Sequence, residues 1–470
     1  MIGSMRDLEQ RPYEQEAVRA LRTLLPAHQR VLAVGPTGSG KTVIGALLLD
    51  VEPRWRRVLW LAHRIELIDQ ARSQIVALGM RCGVRCASYE QRCPDHVDPA
   101  ARIQVGSIQT VIRRELEDVD LIVIDEAHRS MADSYQRLAE LKPEAEVLGL
   151  TATPLRTDGR ELGDFFHALH VIARPSTLYA DGYLAQPVTY AAAPNARDIL
   201  SKRLHAVRRT AGDFQLDELG EAVNTRELVG NVVSETLRLA PRVPKVVFAA
   251  TVQHSKQIAA RFARAGISTA HIDSETSAEA RARALAALAS GAVEVICNVE
   301  ILTEGWDLPA LGAVVIARPT WSLVRFMQMI GRVQRPGGPA KKLVLDHGGN
   351  AERLQHFPGE DMDWELLTDG RNVAAPTGKE MPRVRICPGC GVVLLDDCEK
   401  CPYCGTFQLS SRRLIAEREA ELEVLEKARI EKLRQATRKR VSRVARKVGA
   451  PEGWIDTVVN SLMERERRDG

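Results

Sequence analysis

The sequence contains no long apolar run. No stretch of its 470 residues approaches the roughly 20 apolar residues of a membrane-spanning helix. The first residues, MIGSMRDLEQRPYEQEA, also lack the apolar core of a secretory signal. We therefore expect a cytoplasmic protein without a membrane partner.

A strong net charge is also missing, since 65 Lys and Arg stand against 61 Asp and Glu, for a formal charge of +4. The charge is uneven along the chain, because residues 429–447 hold nine basic residues and one acidic residue, which leaves 56 basic against 60 acidic elsewhere. A basic segment of this kind is typical of contact with nucleic-acid phosphates. The alternative is a solvated helix face or a coiled-coil flank, because few aromatic residues interleave with the charges.

Disulfides are not expected, because nine cysteines in a cytoplasmic chain indicate metal ligands or free thiols. A nuclease signature of the PD-(D/E)xK type is also missing from the sequence. The hydrophobic content of 45% and the charged content of 27% are ordinary for a globular protein. The length predicts about two to four domains.

Short apolar runs alternate with helical patterns in two blocks, and each run is predicted as a buried parallel strand. The runs are 31–35, 58–63, 103–108, 121–125 and 147–153 in the first block, and 245–251, 268–273, 293–299, 313–319 and 341–349 in the second. The predicted fold class is therefore α/β, with two tandem lobes of parallel sheet flanked by helices, a small zinc ribbon and a charged C-terminal helix. The predicted domains are 1–185, 186–380 (with a helical segment between the lobes), 384–408 and 411–470.

The segment GPTGSGKT at 35–42 follows a predicted strand and opens a predicted helix, as a phosphate-binding loop does. Backbone N–H groups of such a loop wrap a phosphate. Lys41 then neutralises charge on the β- and γ-phosphates, and Thr42 offers its hydroxyl to Mg²⁺. The predicted nucleotide-binding residues of this segment are Gly35, Thr37, Gly38, Ser39, Gly40, Lys41 and Thr42.

Two further segments carry predicted catalytic residues. DEAH at 125–128 ends an apolar strand. Adjacent carboxylates at a buried strand end are costly without a cation, so Asp125 is predicted to hold Mg²⁺ and Glu126 to orient an attacking water. QMIGRVQRP at 328–336 places Arg332 and Arg335 on one helix face. Such arginines stabilise a transferred phosphoryl group; a basic surface helix is the alternative.

These motifs, together with LAHRIELIDQ (61–70), TATP (151–154) and LTEGWDLP (302–309), stand in the order of the superfamily 2 helicases, which the chain resembles over roughly residues 8–350. The resemblance implies two RecA-like lobes that close on ATP and Mg²⁺. It implies catalytic roles for His128 and Gln328 near the γ-phosphate, and a nucleotide contact for Asp307.

The same resemblance implies that the lobes grip a nucleic-acid strand. The residues that it places on nucleic acid are Arg64, Gln109, Thr110, Thr303 and Gly305. Contacts of this kind to the backbone carry no sequence information. We therefore expect binding without sequence preference and with a strong salt dependence.

RPYEQEAV at 11–18 resembles the adenine-reading motif of the superfamily, which implies nucleotide contacts from Arg11, Tyr13 and Gln15. The family has Gln directly after the Tyr, whereas this chain has Glu14. A Gln amide both accepts from adenine N6 and donates to N7, but an ionised Glu only accepts. Either Gln15 takes the role, or the selectivity for adenine is relaxed.

The cysteines of CPGCG (387–391) and CPYCG (401–405) form two C-x2-C pairs separated by ten residues. Four thiolates at this spacing suit tetrahedral Zn²⁺. The predicted zinc ligands are Cys387, Cys390, Cys401 and Cys404, with Cys398 as a competitor and with free thiols or another metal as alternatives. The ribbon is interpreted as a module for contact with nucleic acid or protein.

A third set of cysteines, Cys82, Cys86 and Cys93, lies with His96 in the interval where some superfamily 2 helicases hold an iron–sulfur cluster. Only three cysteines are present there. The favoured interpretation is therefore buried free thiols rather than a metal site.

A narrower resemblance is to the RadD-type DNA-repair helicases and their phage and prokaryotic relatives. It depends on the RPY start, TATPLR, DGYL (181–184), FAATVQHS (248–255) and LVLDHGGN (343–350). It implies a bacterial or phage-encoded, nucleoid-associated ATPase that acts on single-stranded or junction DNA in repair or recombination. The alternatives are a motor subunit of a restriction or anti-phage complex, an RNA helicase, and an accessory protein whose ATP cycle remodels a partner.

Overall fold

The structure is a computed structural model. It describes residues 11–114, 118–129, 133–156, 162–210, 212–303, 305–364 and 384–408, together with the single residues Gln435, Ser442, Gly453, Asp456 and Val459. The chain divides into a compact unit Met1–Leu395 and a second unit Asp396–Gly470. The predicted basic helical tail, residues 411–470, lies outside the described residues except at those five positions.

In the described part of the chain, the first lobe contains a seven-stranded parallel sheet in the order β3-β4-β2-β5-β6-β1-β7. Its strands are β1 Arg30–Val34, β2 Val58–Leu61, β3 Cys82–Arg85, β4 Ile103–Gly106, β5 Leu121–Asp125, β6 Glu146–Thr151 and β7 Ala168–Val171. The five predicted strands of this block are confirmed. Two strands, β3 and β7, are not among these five, and the residues of β7 are only half-buried and form no marked apolar run.

Helices cover both faces of this sheet, as expected for buried parallel strands. They are α1 Pro12–His28, α2 Lys41–Val51, α3 Ile65–Ala77, α4 Ala87–Arg92, α5 Ile108–Val111, α6 Asp133–Leu141 and α7 Pro175–Ala180. In α1 the residues Ala17, Leu21 and Leu25 are buried at a spacing of four, which places one apolar stripe on the sheet. No helix among the described residues is long and apolar enough to cross a membrane.

Within the described residues, the second lobe contains a six-stranded parallel sheet in the order β12-β13-β11-β14-β15-β8. Its strands are β8 Val188–Ala191, β11 Lys245–Phe248, β12 Thr269–Ile272, β13 Val295–Asn298, β14 Ala313–Ile316 and β15 Leu343–Asp346. Its helices are α11 Val252–Arg264, α12 Ala278–Ser290, α13 Leu323–Gly331 and α14 Asn350–Leu354. The predicted strands are again confirmed, and the α/β fold class with two such lobes is correct.

An insertion separates β8 from β11 along the chain. It consists of α8 Pro194–Leu204, a hairpin of β9 Arg209–Thr210 and β10 Asp213–Phe214, α9 Leu216–Val223 and α10 Arg226–Leu239. Its buried apolar residues form a separate cluster that includes Leu200 and Leu219. Gly220 of α9 lies so close to Thr251 that a Cβ there would be 2.7 Å from the Thr251 Cγ2, so the insertion docks against the end of β11.

The first cysteine pair lies in a hairpin that extends the core of the second lobe. The hairpin strands are β16 Val384–Ile386 and β17 Val393–Leu395. The Ala191 N–H donates to the Gly391 carbonyl at 2.9 Å, and Val384 and Val393 join the apolar core of the lobe. The hairpin therefore packs on the edge strand β8.

We expect protonation of His254 to destabilise the second lobe in mild acid. His254 is buried, and its Nδ1 accepts a hydrogen bond from the Ala250 N–H at 3.3 Å. Burial lowers the pKa of His254 to about 4. The histidine of the unfolded chain has a pKa of about 6.5. The contribution of neutral His254 to the free energy of unfolding is therefore complete above that pH. It is lost as the pH falls towards 4, by up to about 3 kcal/mol.

The measurement is the free energy of unfolding in urea between about pH 7 and pH 5. The variant His254→Asn keeps a hydrogen-bond acceptor but does not titrate, so it should lose less stability over this range than the wild type. The exposed His205 provides the control His205→Asn, which should follow the wild type. Equal pH dependence in all three proteins would contradict the prediction.

Candidate nucleotide and nucleic-acid site

The loop between β1 and α2 curls around the amino group of Lys41. The Lys41 Nζ donates to the carbonyl oxygens of Gly35 (3.0 Å) and Pro36 (3.2 Å). Gly38 and Gly40 have φ values of +96° and +75°, in the left-handed region that glycine adopts without strain. The loop therefore has the tight curvature that the sequence predicts for a phosphate-binding segment.

Two carboxylates lie beside Lys41 at the carboxyl edge of the sheet. Asp125 ends β5 and is buried, and its Oδ1 accepts a hydrogen bond from the Glu126 N–H at 3.1 Å. Burial, followed by the neighbouring Glu126, raises the pKa of Asp125 to about 7, and Lys41 acts in the opposite direction. Burial also lowers the pKa of Lys41, which the two carboxylates oppose.

This donor set fits a hard divalent cation. Oxygen ligands are those that Mg²⁺ prefers, and a cation would offset the cost of two adjacent ionised carboxylates in a buried position. Asp125, Glu126 and Thr42 line one cavity together. The residues predicted from the sequence to hold Mg²⁺ are thus brought together.

The two arginines of the second lobe reach the same cavity. The Arg335 Nε donates to the Asp307 Oδ1 at 2.6 Å. The guanidinium lies against Gly38, where a Cβ would be 1.6 Å from the Arg335 Nη1. The Arg332 Nη1 donates to the Trp306 carbonyl at 2.8 Å. Arg335 therefore contacts the phosphate loop of the first lobe while it is paired with a carboxylate of its own lobe.

Residues of the two lobes approach each other closely at two more points. A Cβ on Gly331 would be 2.3 Å from the Thr37 Cβ. The Gln328 Nε2 lies 3.4 Å from the His128 Nε2, and the His128 Nδ1 lies 3.3 Å from the Glu126 Oε2. A side-chain path thus runs from the second lobe through Gln328 and His128 to Glu126.

A group of aromatic and basic side chains flanks the phosphate loop at the start of α1. The Tyr13 hydroxyl donates to the Ser39 carbonyl at 3.1 Å and accepts from the Arg11 Nη1 at 2.9 Å. The Arg11 guanidinium lies 4.9 Å from the ring centroid of Tyr183, and the two tyrosine rings are 5.4 Å apart. Tyr183 was not predicted as a site residue, although it lies in the DGYL segment.

Glu14, not Gln15, faces the phosphate loop. Glu14 is buried, and its Oε2 accepts a hydrogen bond from the Arg11 N–H at 3.2 Å. A Cβ on Gly40 would be 2.9 Å from the Glu14 Oε1. Gln15 lies on the exposed face of α1. The structure therefore does not bring Gln15 together with the other predicted nucleotide residues.

A cavity of about 320 Å³ lies between the lobes, and the predicted residues that line it are Arg11, Thr37, Gly38, Gly40, Lys41, Thr42, Asp125, Glu126, Gly305, Asp307, Arg332 and Arg335. Besides the predicted residues, its walls include side chains that the sequence analysis did not assign: Val43, Leu67, Gln70, Gln74, Tyr183, Trp306, Pro309 and Pro336. The sequence contained a signal for three of these residues. Leu67, Gln70 and Gln74 follow Arg64 at helical spacing, which places them on one face of α3.

The residues predicted to contact nucleic acid divide into two groups. In the first, the Arg64 Nη1 donates to the Ile301 carbonyl at 3.1 Å, and the Thr303 hydroxyl donates to the Glu300 carbonyl at 2.6 Å. Gly305 has a φ of +78°, and a Cβ there would be 3.1 Å from the Glu66 Cβ. These residues therefore meet where the two lobes face each other.

The second group lies apart, at the end of β4. Gln109 is exposed on the short helix α5. The Thr110 Oγ1 accepts hydrogen bonds from the Ser107 hydroxyl (2.9 Å) and the Ala87 N–H (3.3 Å). Thr110 thus supports its own loop, while Gln109 is accessible.

The two cysteine pairs have the same local geometry. In the first, the Cys387 N–H donates to the Val392 carbonyl at 2.8 Å, and Gly391 has a φ of +76°. In the second, the Cys401 N–H donates to the Thr406 carbonyl at 2.9 Å, and Gly405 has a φ of +75°. Each pair therefore forms a knuckle closed by a left-handed glycine.

The sulfur atoms of the four predicted ligands lie within 4.8 Å of one another, and four thiolates fit zinc. Among the described residues this is the group found with metal-ligand geometry. The Cys398 Sγ instead donates to the Lys400 carbonyl at 3.2 Å. Cys82 and Cys86 are buried free thiols, and burial raises the pKa of Cys82 to about 12.

Two protein families match this sequence. The family "Type III restriction enzyme, res subunit" matches residues 7–156, and "Helicase conserved C-terminal domain" matches residues 231–337. The first match contains the phosphate loop and DEAH, and the second contains the segment with Arg332 and Arg335. Each lobe therefore has its own family counterpart.

Individual relatives are distant. The "51.5 kDa protein" of a Lactococcus phage (isolate 7-9) is 27% identical over 84% of this chain and 82% of its own length. The "Putative ATP-dependent helicase IRC3" of Saccharomyces cerevisiae is 28% identical over 68% of this chain and 49% of its own length. The chain thus spans about half of the yeast protein.

The fold itself matches a solved structure. The structure of the ATP-dependent Type ISP restriction-modification enzyme LlaBIII bound to DNA aligns with a TM-score of 0.55 at 17% identity. The alignment covers 75% of this chain and 29% of that enzyme. At this identity the likeness concerns the fold.

We expect the purified protein to contain one zinc ion per chain. Because four sulfur atoms converge in the described ribbon, Cys401→Ser should remove the ion and destabilise the knuckle. Cys398→Ser should retain the ion, since the Cys398 Sγ is bonded elsewhere. Elemental analysis of the three proteins checks this, and loss of zinc from Cys398→Ser alone would contradict the assignment.

Proposed function

We propose that this chain, which belongs to the superfamily 2 helicases, hydrolyses ATP and works as a DNA-directed translocase or helicase. The observation that carries the proposal is the cavity between the lobes, where Lys41, Asp125 and Glu126 of the first lobe meet Arg332 and Arg335 of the second. The repair or recombination context follows from the resemblance to the RadD-type helicases and is part of the proposal.

In the proposed mechanism the phosphate loop holds the triphosphate of ATP. Lys41 moves from the carbonyls of Gly35 and Pro36 to the β- and γ-phosphates. Asp125 and Thr42 would hold Mg²⁺, which would supply neutralising positive charge at this site. Glu126 accepts the proton of the attacking water, and its position is maintained by His128 at 3.3 Å.

The second lobe completes this site. Arg335 exchanges part of its contact with Asp307 for the transferring phosphoryl group, and Arg332 adds a second positive charge. Because both arginines lie on the far side of the seam, hydrolysis requires closed lobes. The same closure brings Arg64 to the Glu300–Thr303 loop, so a strand held there is gripped or released with each ATP cycle.

We expect Lys41→Ala to lower ATP hydrolysis by about 10²–10³-fold, because it removes the buried charge that faces the phosphates. Hydrolysis by the wild type should be strongly stimulated by single-stranded DNA. The measurement compares ATP turnover with no nucleic acid, single-stranded DNA, duplex DNA and RNA. Turnover indifferent to every nucleic acid would overturn the proposal and favour a subunit activated by a protein partner; stimulation by RNA alone would make the chain an RNA-directed motor.

We also propose that Glu14 relaxes the selectivity for adenine. An ionised carboxylate accepts from the adenine N6 amino group but donates nothing to N7. Glu14→Gln should therefore raise the ratio of kcat/KM for ATP over GTP by about tenfold, the value of one added hydrogen bond. The exposed neighbour supplies the control Gln15→Glu, which should leave the ratio as it is. A larger change from Gln15→Glu than from Glu14→Gln would assign the role to Gln15.

A second candidate function is a motor subunit of a restriction or anti-phage complex. It is favoured by the family matched at residues 7–156, which is named for a restriction subunit. Such a subunit depends on a partner that supplies nuclease or methylase activity. The two candidates are separated by purification from the native host, since a restriction motor is recovered with that partner and an autonomous motor is not.

A further inference from the structure

The hairpin of β9 and β10 contains an exposed arginine, Arg209, that lies against an aromatic ring. Arg209 is exposed, and its guanidinium lies 4.2 Å from the ring centroid of Trp321. Arg353 approaches the same ring at 5.8 Å. In the part of the chain that the structure describes, Arg209 forms no ion pair with a carboxylate. Its charge is therefore held in a defined position but not neutralised.

The carboxylate of Asp213, in the same hairpin, does not neutralise the charge of Arg209, because its oxygens already accept other hydrogen bonds. The Asp213 Oδ1 accepts hydrogen bonds from the Trp321 N–H (2.8 Å) and the Phe214 N–H (2.9 Å). The Asp213 Oδ2 accepts from the Thr320 hydroxyl at 2.8 Å and pairs with Arg325. The carboxylate thus anchors the hairpin to the second lobe and leaves Arg209 available to an outside anion.

The neighbouring arginines Arg203 and Arg208 are less available to bind an anion, because their guanidinium groups already contact protein oxygens. The Arg208 Nε pairs with the Glu218 carboxylate, and the Arg203 guanidinium donates to the carbonyls of Ala222 and Glu221. Both residues support the insertion. Of these three arginines, Arg209 is therefore the one whose guanidinium has no hydrogen bond or ion pair to the described residues.

The hairpin lies at the edge of the second sheet where the predicted nucleic-acid residues lie. Asp213 bonds to Thr320 and Trp321, which follow β14, and Gly220 packs against Thr251, which follows β11. The carboxyl ends of parallel strands meet at one edge of a sheet, which is where open α/β sheets bind ligands. The Glu300–Thr303 loop follows β13 at that same edge.

Ion pairs connect the hairpin to that loop. Arg325 pairs with Asp213 on one side and with Glu300 on the other, at 3.2 Å. The Glu300 carbonyl in turn accepts from the Thr303 hydroxyl and from the Arg64 guanidinium. The hairpin and the predicted strand-binding residues therefore belong to one polar network.

We infer that Arg209 binds a backbone phosphate of the nucleic-acid strand, with Trp321 as the residue that positions its guanidinium. This rests on the proposed function. A guanidinium matches phosphate oxygens with two parallel donors, and stacking on an aromatic ring restricts its motion before binding. The contact is to the phosphodiester, so it is the same for DNA and RNA and independent of base sequence.

The test measures the affinity of the full-length protein for oligo(dT) and oligo(rU) as a function of salt, by fluorescence anisotropy. Each phosphate contact to a single strand contributes about 0.7 to the slope of log K against log salt. Arg209→Gln should reduce the slope by about 0.7 and weaken binding about tenfold, as expected for one charge-assisted hydrogen bond. Arg209→Lys should retain the slope, because it keeps the charge.

The matched control is Arg264→Gln. Arg264 is exposed at the last turn of α11, about 18 Å along the helix from the end near Thr251. Arg264→Gln removes the same charge as Arg209→Gln, but at the opposite edge of the lobe. Its affinity and its slope of log K against log salt should therefore equal those of the wild type. Thermal unfolding of each variant reports its folding.

The possible outcomes are distinct. An unchanged slope in Arg209→Gln overturns the inference, and if thermal stability falls at the same time, Arg209 acts by packing on Trp321. Wild-type binding to oligo(dT) would then still support the proposed function. Equal loss of slope in Arg264→Gln also overturns the inference, because the effect would be that of net charge. No binding of either oligonucleotide by the wild type overturns the inference and the proposed function together.

Discussion

The burial of opposite charges at the carboxyl edge of the first sheet constrains the rest of this molecule. An ammonium and two carboxylates lie together at this edge, and burial raises the pKa of Asp125 to about 7 while it lowers the pKa of Lys41. Such a group is unfavourable on its own. A triphosphate and a divalent cation together would complete its charge balance.

The second lobe has to approach this group closely without blocking it. Gly38 and Gly331 make this possible, because a Cβ at either position would overlap Arg335 or Thr37. The absence of these two side chains lets a guanidinium from one lobe lie against the phosphate loop of the other. Small residues at the seam thus determine whether the charged groups of the two lobes can meet.

The insertion and the first cysteine knuckle are attached to the second lobe at different places. The insertion attaches at the carboxyl edge of the sheet through Asp213, and the first knuckle attaches at the edge strand β8 through Gly391. Among the described residues, neither adds a side chain to the nucleotide cavity. Under the proposed function they would act on a strand or a partner rather than in hydrolysis, since proteins that share a core fold can differ in the sites attached to it.

The sequence by itself determined the two parallel lobes and the chemistry of the motifs, because apolar runs and glycine-rich loops act over a few neighbouring residues. Tertiary structure alone decided which side chains meet. That Glu14 and not Gln15 faces the phosphate loop, that Tyr183 stacks near Arg11, and that Arg209 lies on Trp321 depend on packing between distant segments. No local pattern encodes such contacts, since they arise only when the chain has folded.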